Sequence, residues 1–182
     1  MAISKAGCRL TGLVCIGLLL AACVKPASNF DASSELTAAV RAHEPVTEKG
    51  RVHFFLGLVD SSLMIFGPMS NVQPADLISG GQVVGGVNKG QVLVLDFEPG
   101  DYEFAWGERV EDGHGMVSSA VPVSISAGDM IYLRADWRPS TGAAIAGIVG
   151  AIADPPRALL LVCSPSECAS EIDDLHVVVA SQ

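Results

Sequence analysis

From Arg51 onward, apolar and polar residues alternate with a period of two. Val52, Phe54, Leu56 and Leu58 stand between Arg51, His53, Phe55 and Gly57, the spacing of a strand with one face on a core. Leu63 to Phe66 is a short apolar run stopped by Gly67-Pro68. Asp76 to Ile78, Gly80-Gly81 and Gln82 to Val87 read as a hairpin, and Asn88-Lys89-Gly90 as the next turn. In Gln91 to Phe97, Leu93, Leu95 and Phe97 face one way, while Val92, Val94 and Asp96 face the other. Pro99-Gly100 suits the centre of a type II turn, with Pro setting φ and Gly taking φ > 0. Tyr102, Phe104 and Trp106 then alternate toward the core.

The alternation continues to the end of the chain. Val117, Ser119, Val121, Val123 and Ile125 predict one strand, with Pro122 on its other face and therefore an edge position. Ile131, Leu133, Ala135 and Trp137 alternate with Tyr132, Arg134, Asp136 and Arg138, so Tyr132, Arg134 and Arg138 are expected on an outward face as a small recognition patch. Arg157 to Cys163 and Leu175 to Val179 complete the strands. Short strands parted by Gly, Pro and Asp turns predict an all-β fold, an antiparallel sandwich.

Two stretches follow another grammar. Ser33 to Ala42 opens on an N-cap serine with an early Glu35 and predicts a short helix, with Leu36, Ala39 and Val40 on one side. Ser140 to Ala153 carries no charge and is rich in Gly and Ala, ending at Asp154-Pro155-Pro156. On a helix, Gly142, Ala146 and Gly150 would form a small-residue stripe of the kind that lets helices approach closely. The stretch is too short to span a bilayer. It is read as a helical or loop insert, serving as a cap on the sandwich, an interaction segment or a shallow membrane contact.

The N-terminus adds the strongest motif. Lys5 and Arg9 precede an apolar run from Leu10 to Ala21, closed by Leu20-Ala21-Ala22-Cys23. This resembles the lipobox of bacterial lipoproteins. The resemblance implies removal of residues 1–22 as a signal peptide and lipidation of Cys23, which then holds the protein to a membrane. Val24 stands where Asp would signal inner-membrane retention, so it implies the outer membrane, facing the periplasm. Residues 23–50 are then lipidated cysteine, tether and short helix, and 51–182 the sandwich with its insert at 140–153. The tether, Val24 to about Ala32, reaches at most about 30 Å. The phrases Phe97-Glu98-Pro99-Gly100-Asp101-Tyr102 and Ser126-Ala127-Gly128-Asp129-Met130-Ile131-Tyr132-Leu133-Arg134 also look like those of small prealbumin-like or PEGA-like β-sandwich domains on bacterial lipoproteins. That family has no assigned catalytic residues to carry over.

Charge and cysteines narrow the picture. The net charge is −9, and the leader would take two of the 11 basic residues with it, against 20 acidic ones. Such a chain does not suit nucleic acid or a polybasic grip on anionic lipid. Cys8 and Cys15 lie in the leader and Cys23 takes lipid, which leaves Cys163 and Cys168 as an even pair in an oxidising compartment. Ser164-Pro165-Ser166-Glu167 reads as a turn between them, so a disulfide clipping a surface loop is expected, worth roughly 2 kcal/mol.

Catalytic motifs are sparse. His43, His53, His114 and His176 are scattered and read as solvent-facing or rim positions, and no HExxH, GxSxG or Walker pattern occurs. Glu108, Glu111, Asp112 and His114 form the one polar cluster that could hold a divalent cation if its loop folded back. The reading that follows is a non-catalytic envelope lipoprotein without a cofactor. Its partners are the membrane, through the lipid, and an envelope protein or a second copy of itself. The alternative is a metal-dependent or hydrolytic enzyme using residues 108–114.

Overall fold

A computed structural model describes residues 29–57, 74–138 and 157–180. They form two packed sheets, as the alternation predicts, with a layer of two helices that it only half predicts. The strands are β1 (Asn29–Asp31), β2 (Gly50–Leu56), β3 (Ala75–Ser79), β4 (Gln82–Val87), β5 (Gln91–Phe97), β6 (Gly100–Val110), β7 (Gly113–Val117), β8 (Val121–Ile125), β9 (Met130–Arg138), β10 (Arg157–Cys163) and β11 (His176–Ala180). The helices are α1 (Ser34–Arg41) and α2 (Pro165–Ile172). One sheet has six strands in the order β1-β11-β5-β2-β9-β10. The other runs β4-β3-β6-β7, with β8 beside β7 on the same edge of β6. Most pairings are antiparallel; β2 with β9 and β11 with β5 are parallel.

The main core lies between the sheets. Val52, Phe54, Leu56, Leu93 and Leu133 of the six-stranded sheet meet Leu77, Val87, Phe104, Trp106 and Ile125 of the other. Close approach needs Gly85, whose missing Cβ would sit 2.6 Å from Leu93 Cδ2. The β3–β4 hairpin turns at Gly80 (φ 56°) and Gly81 (φ 78°), conformations that favour glycine.

A second core covers the outer face of the six-stranded sheet. Phe55, Val92, Val94, Tyr132 and Val177 pack there under Val40 of α1 and Cys168 and Ile172 of α2. The central strand β2 is therefore buried along its whole length. Its alternation is real, but both of its faces are interior.

Five expectations change. Residues 164–167 open α2 rather than a turn: Glu167 accepts hydrogen bonds from the Ser164 backbone N–H (3.1 Å) and hydroxyl (2.8 Å), and Pro165 starts the helix. Gly100 does not take a positive φ; it begins β6, paired with Ile125. The strand expected over 117–125 is two, β7 and β8, parted at Ser118, whose hydroxyl accepts from Trp106 N–H at 2.9 Å. The end of the tether is a strand, β1, hydrogen-bonded to β11. Tyr132 is not an outward recognition residue but fully buried beneath the helices. Pro122 does lie on an edge strand, since among the described residues β8 pairs with β6 alone. The Gly/Ala insert and Leu63 to Phe66 lie outside the described residues.

Burial on both faces has a measurable signature. Phe54→Ala and Phe55→Ala, which remove neighbouring side chains from opposite cores, are each expected to cost about 3–5 kcal/mol in denaturant unfolding. A near-neutral Phe55→Ala would mean that the helices do not seal the outer face.

Candidate functional site

Two polar clusters, one under the helices and one on the open sheet, hold the buried titratable side chains among the described residues. The first grows from α1. Its C-terminus ends with Glu44 N–H bonded to Ala39 C=O and His43 N–H to Val40 C=O, a Schellman arrangement. His43 fills the position that glycine usually takes, at φ 51°. That turn brings Nδ1 to 3.0 Å from the Tyr132 hydroxyl. Burial, and then the charge of Asp173, raise the Tyr132 phenol above its ordinary pKa, so it stays protonated and can donate to His43. His43 Nε2 in turn lies 3.8 Å from Asp173.

His53 stacks on the other side of Tyr132, with ring centroids 4.7 Å apart and planes 11° from parallel. It is fully buried, contrary to its expected rim position, and among the described residues neither ring nitrogen has a hydrogen-bond partner. Burial, and then the guanidinium of Arg51, push its pKa from 6.5 to about 4. Arg51 itself is neutralised by Asp96 through two hydrogen bonds, 2.8 and 3.2 Å. Arg134, expected to face outward, bridges Glu171 of α2 (2.8 Å) and Asp136 (3.0 Å).

The second cluster lies on the open face of the five-stranded sheet. Asp76 accepts from Arg109 Nε at 2.8 Å and also from Nη2, and its other oxygen is 3.0 Å from His114 Nε2. Two glycines make room: a Cβ on Gly86 would overlap Arg109 and Asp76, and one on Gly107 would lie 2.8 Å from His114. Asp76 is only 7 % exposed as a result. An Asp–His pair of this kind can orient an imidazole for proton transfer. No serine, threonine or cysteine side chain hydrogen-bonds to His114 among the described residues.

The cluster anticipated around residue 108 is dispersed. Glu108 and His114 lie on β6 and β7, while Glu111 and Asp112 form the exposed turn between them. Among the described residues no group of three or more His, Cys, Asp or Glu side chains could hold a metal ion. His114 instead meets Asp76, which is 38 residues away in sequence and was not singled out. The signal for Asp76 was indirect: the small residues Gly86 and Gly107, cross-strand from it on either side.

Cys163 and Cys168 are joined by a disulfide, which ties the end of β10 to the first turns of α2 rather than clipping a loop. His176 is exposed, 2.9 Å from Asp31. Cys23 and Gly142, Ala146 and Gly150 lie outside the described residues. An open cleft of about 330 Å³ beside α1 is lined by Leu36, Val94, Leu95, Asp96, Val179 and Ala180. No protein-family model, curated protein or solved structure matches the chain.

His53 gives the first cluster a pH signature. Its folded pKa lies below the unfolded value, so its neutral burial contributes stability above pH 6.5 that is lost as pH falls toward 4. His53→Phe keeps a flat ring against Tyr132 and removes the titration. Relative to that variant, the native chain is expected to lose about 3 kcal/mol between pH 7 and pH 4, read by denaturant melts. Parallel pH profiles for the two would show that His53 protonates freely in the folded state.

Proposed function

We propose that this chain is a lipid-anchored protein of the bacterial envelope whose domain is a non-catalytic binding or assembly module facing the periplasm. The anchor is read from Leu20-Ala21-Ala22-Cys23. Asn29, where β1 begins, is six residues beyond Cys23, so an anchor there holds the domain within about 20 Å of the bilayer. Among the described residues no helix is long and apolar enough to cross a membrane.

The observation that carries the binding role is the pairing of the charged groups within the two clusters. Asp76 is shared by Arg109 and His114, Arg51 is engaged by Asp96, and Tyr132 is enclosed by His43 and His53. Groups closed on each other in this way hold a scaffold rigid, which suits recognition through surfaces. The Asp76–His114 contact favours a second reading, hydrolysis at the β6–β7 hairpin. Turnover that is lost in a folded His114→Asn chain would select that reading.

Expression of the full chain in a bacterial host tests the anchor. The native protein is expected in the membrane fraction with an intact mass that begins at Cys23 and includes acyl chains. Cys23→Ser is expected to lose both the lipid mass and the cleavage. A native chain that carries no lipid, or that fractionates like Cys23→Ser, refutes the proposal.

A further inference from the structure

The two helices are held to the sheet unequally. α2 packs closely on β9, and among the described residues α1 packs to that extent on no strand. The Cys163–Cys168 disulfide and the Glu171–Arg134 ion pair fasten α2 as well. α1 has one fully buried residue, Val40. Its start is tied down by β1, which pairs with β11, and by Ala32 N–H on Val177 C=O at 3.1 Å. Its end depends on His43, 3.0 Å from the Tyr132 hydroxyl and also beside Asp173. His43 sits there in a left-handed turn that favours glycine, so release of that end relieves strain.

Across Tyr132 from His43 lies an imidazole that has no place for a second proton. His53 is fully buried, flat against Tyr132 of β9, with Val94 of β5 on its other side in the ladder. Arg51 on its own strand opposes a charge on the ring, and so does His43 from the turn after α1. Asp96 of β5 and the Ile131 carbonyl of β9 favour one, but neither bonds the ring, and Asp96 is engaged by Arg51. α2 turns Cys168 and Ile172 to this core, and Asp173 at its end lies toward His43. A charged imidazole carries two N–H donors and needs acceptors for both. The main core closes the sheet from below and α2 is pinned, which leaves α1 as the side from which water can supply them.

We infer that α1 is an acid-released latch: protonation of His53 lifts α1 and its His43 turn from Tyr132 while α2 stays docked, which uncovers Tyr132, His53 and Phe55 on the outer face of the sheet. Above pH 6.5 His53 is neutral whether the latch is open or closed, and the latch holds in full. Below that, the exposed ring of the open form takes up a proton that the closed form refuses until about pH 4. The ratio of open to closed therefore rises about twentyfold from pH 7 to pH 5, and about a hundredfold from pH 7 to pH 4. The face so bared is aromatic and apolar, covered at neutral pH and offered for recognition in acid.

The latch does not depend on whether Cys23 carries lipid. Loss of overall stability in acid does not require it either, whereas separate opening of α1 does. Amide hydrogen exchange of the purified native chain at pH 7, 5 and 4, corrected for intrinsic exchange rates, reads that opening. The amides of α1 are expected to open more readily than those of α2 and β2 at every pH. Their opening constants are expected to rise about a hundredfold between pH 7 and pH 4. His53→Phe is expected to abolish the rise. Tyr132→Phe removes the hydrogen bond to His43 and keeps a ring against His53. It is expected to raise α1 opening about fivefold at pH 7 and to leave the acid response in place. Exchange of α1 only in step with α2 and β2 overturns the inference, because His53 then titrates in global unfolding. So does α1 opening indifferent to pH or to Tyr132→Phe, or an acid response that survives His53→Phe. The native chain and Tyr132→Phe decide the matter even where His53→Phe does not fold.

Discussion

Burial of the six-stranded sheet on both faces is the constraint from which the rest of the structure follows. A strand packed on one side can send its polar side chains to water. β2 cannot, because the facing sheet covers Val52, Phe54 and Leu56 while the helical layer closes over Phe55 and its neighbours. Any polar group on that strand has to be neutral or paired. Arg51 is paired, by Asp96 on the adjacent β5. His53 is neutral, held so by desolvation and by the nearby guanidinium. Placing a charged arginine two residues from an unpartnered histidine reinforces that outcome, since the arginine's field opposes a second positive charge. The helices are thus integral to the domain: without them an arginine pair, a histidine and a tyrosine would face water on a sheet built to exclude it.

The helical layer is held at two points of different chemistry. At α1 the hold is geometric: a left-handed turn at His43, with a side chain where glycine is usual, delivers the imidazole to Tyr132. Non-glycine residues in that region carry strain on the order of 1 kcal/mol, which the Tyr132 contact and the packing of Val40 offset. At α2 the hold is covalent and ionic. Cys168 is fully buried and bonded to Cys163, and Glu171 meets Arg134 of β9. Tyr132 lies opposite Cys163 in the β9–β10 ladder, so the disulfide pins α2 beside the same tyrosine that receives His43. Both attachments converge on one side chain.

Much of this was legible as local pattern and little of it as three-dimensional partnership. The strands of the sandwich, the β3–β4 hairpin, the Ser33-capped helix and the cysteine pair all follow from spacing and turn chemistry, which are short-range properties of the chain. What escaped had long-range causes. His53 and Tyr132 alternate with core residues, and alternation cannot distinguish a face open to water from one covered by a helix. The covering helix α2 was itself concealed, because Ser164-Pro165-Ser166-Glu167 serves equally as a turn or as a capped first helical turn, and the apolar residues behind it are few. Asp76 could not be joined to His114 by inspection. Their contact depends on β3 lying between β4 and β6, an order set by packing rather than by sequence adjacency.

The two sheets divide the labour of the surface. The six-stranded sheet spends both faces on cores and keeps lateral edges, a three-residue strand at one end and β10 at the other. Among the described residues the five-stranded sheet keeps an open face, and there the Asp76 cluster lies flat over Gly86 and Gly107, where side chains would hold it off the strands. A buried carboxylate needs donors about it, and Arg109 and His114 provide them from the neighbouring hairpin. That arrangement fixes β7 against β6 despite their irregular register. It therefore also fixes the β6–β7 hairpin, which packs against β10 across the sandwich. The polar cluster on one face thus bears on the packing of the other: with β7 locked to β6 through Asp76, both strands keep their contacts with β10, whereas a hairpin free to peel would loosen that side of the main core.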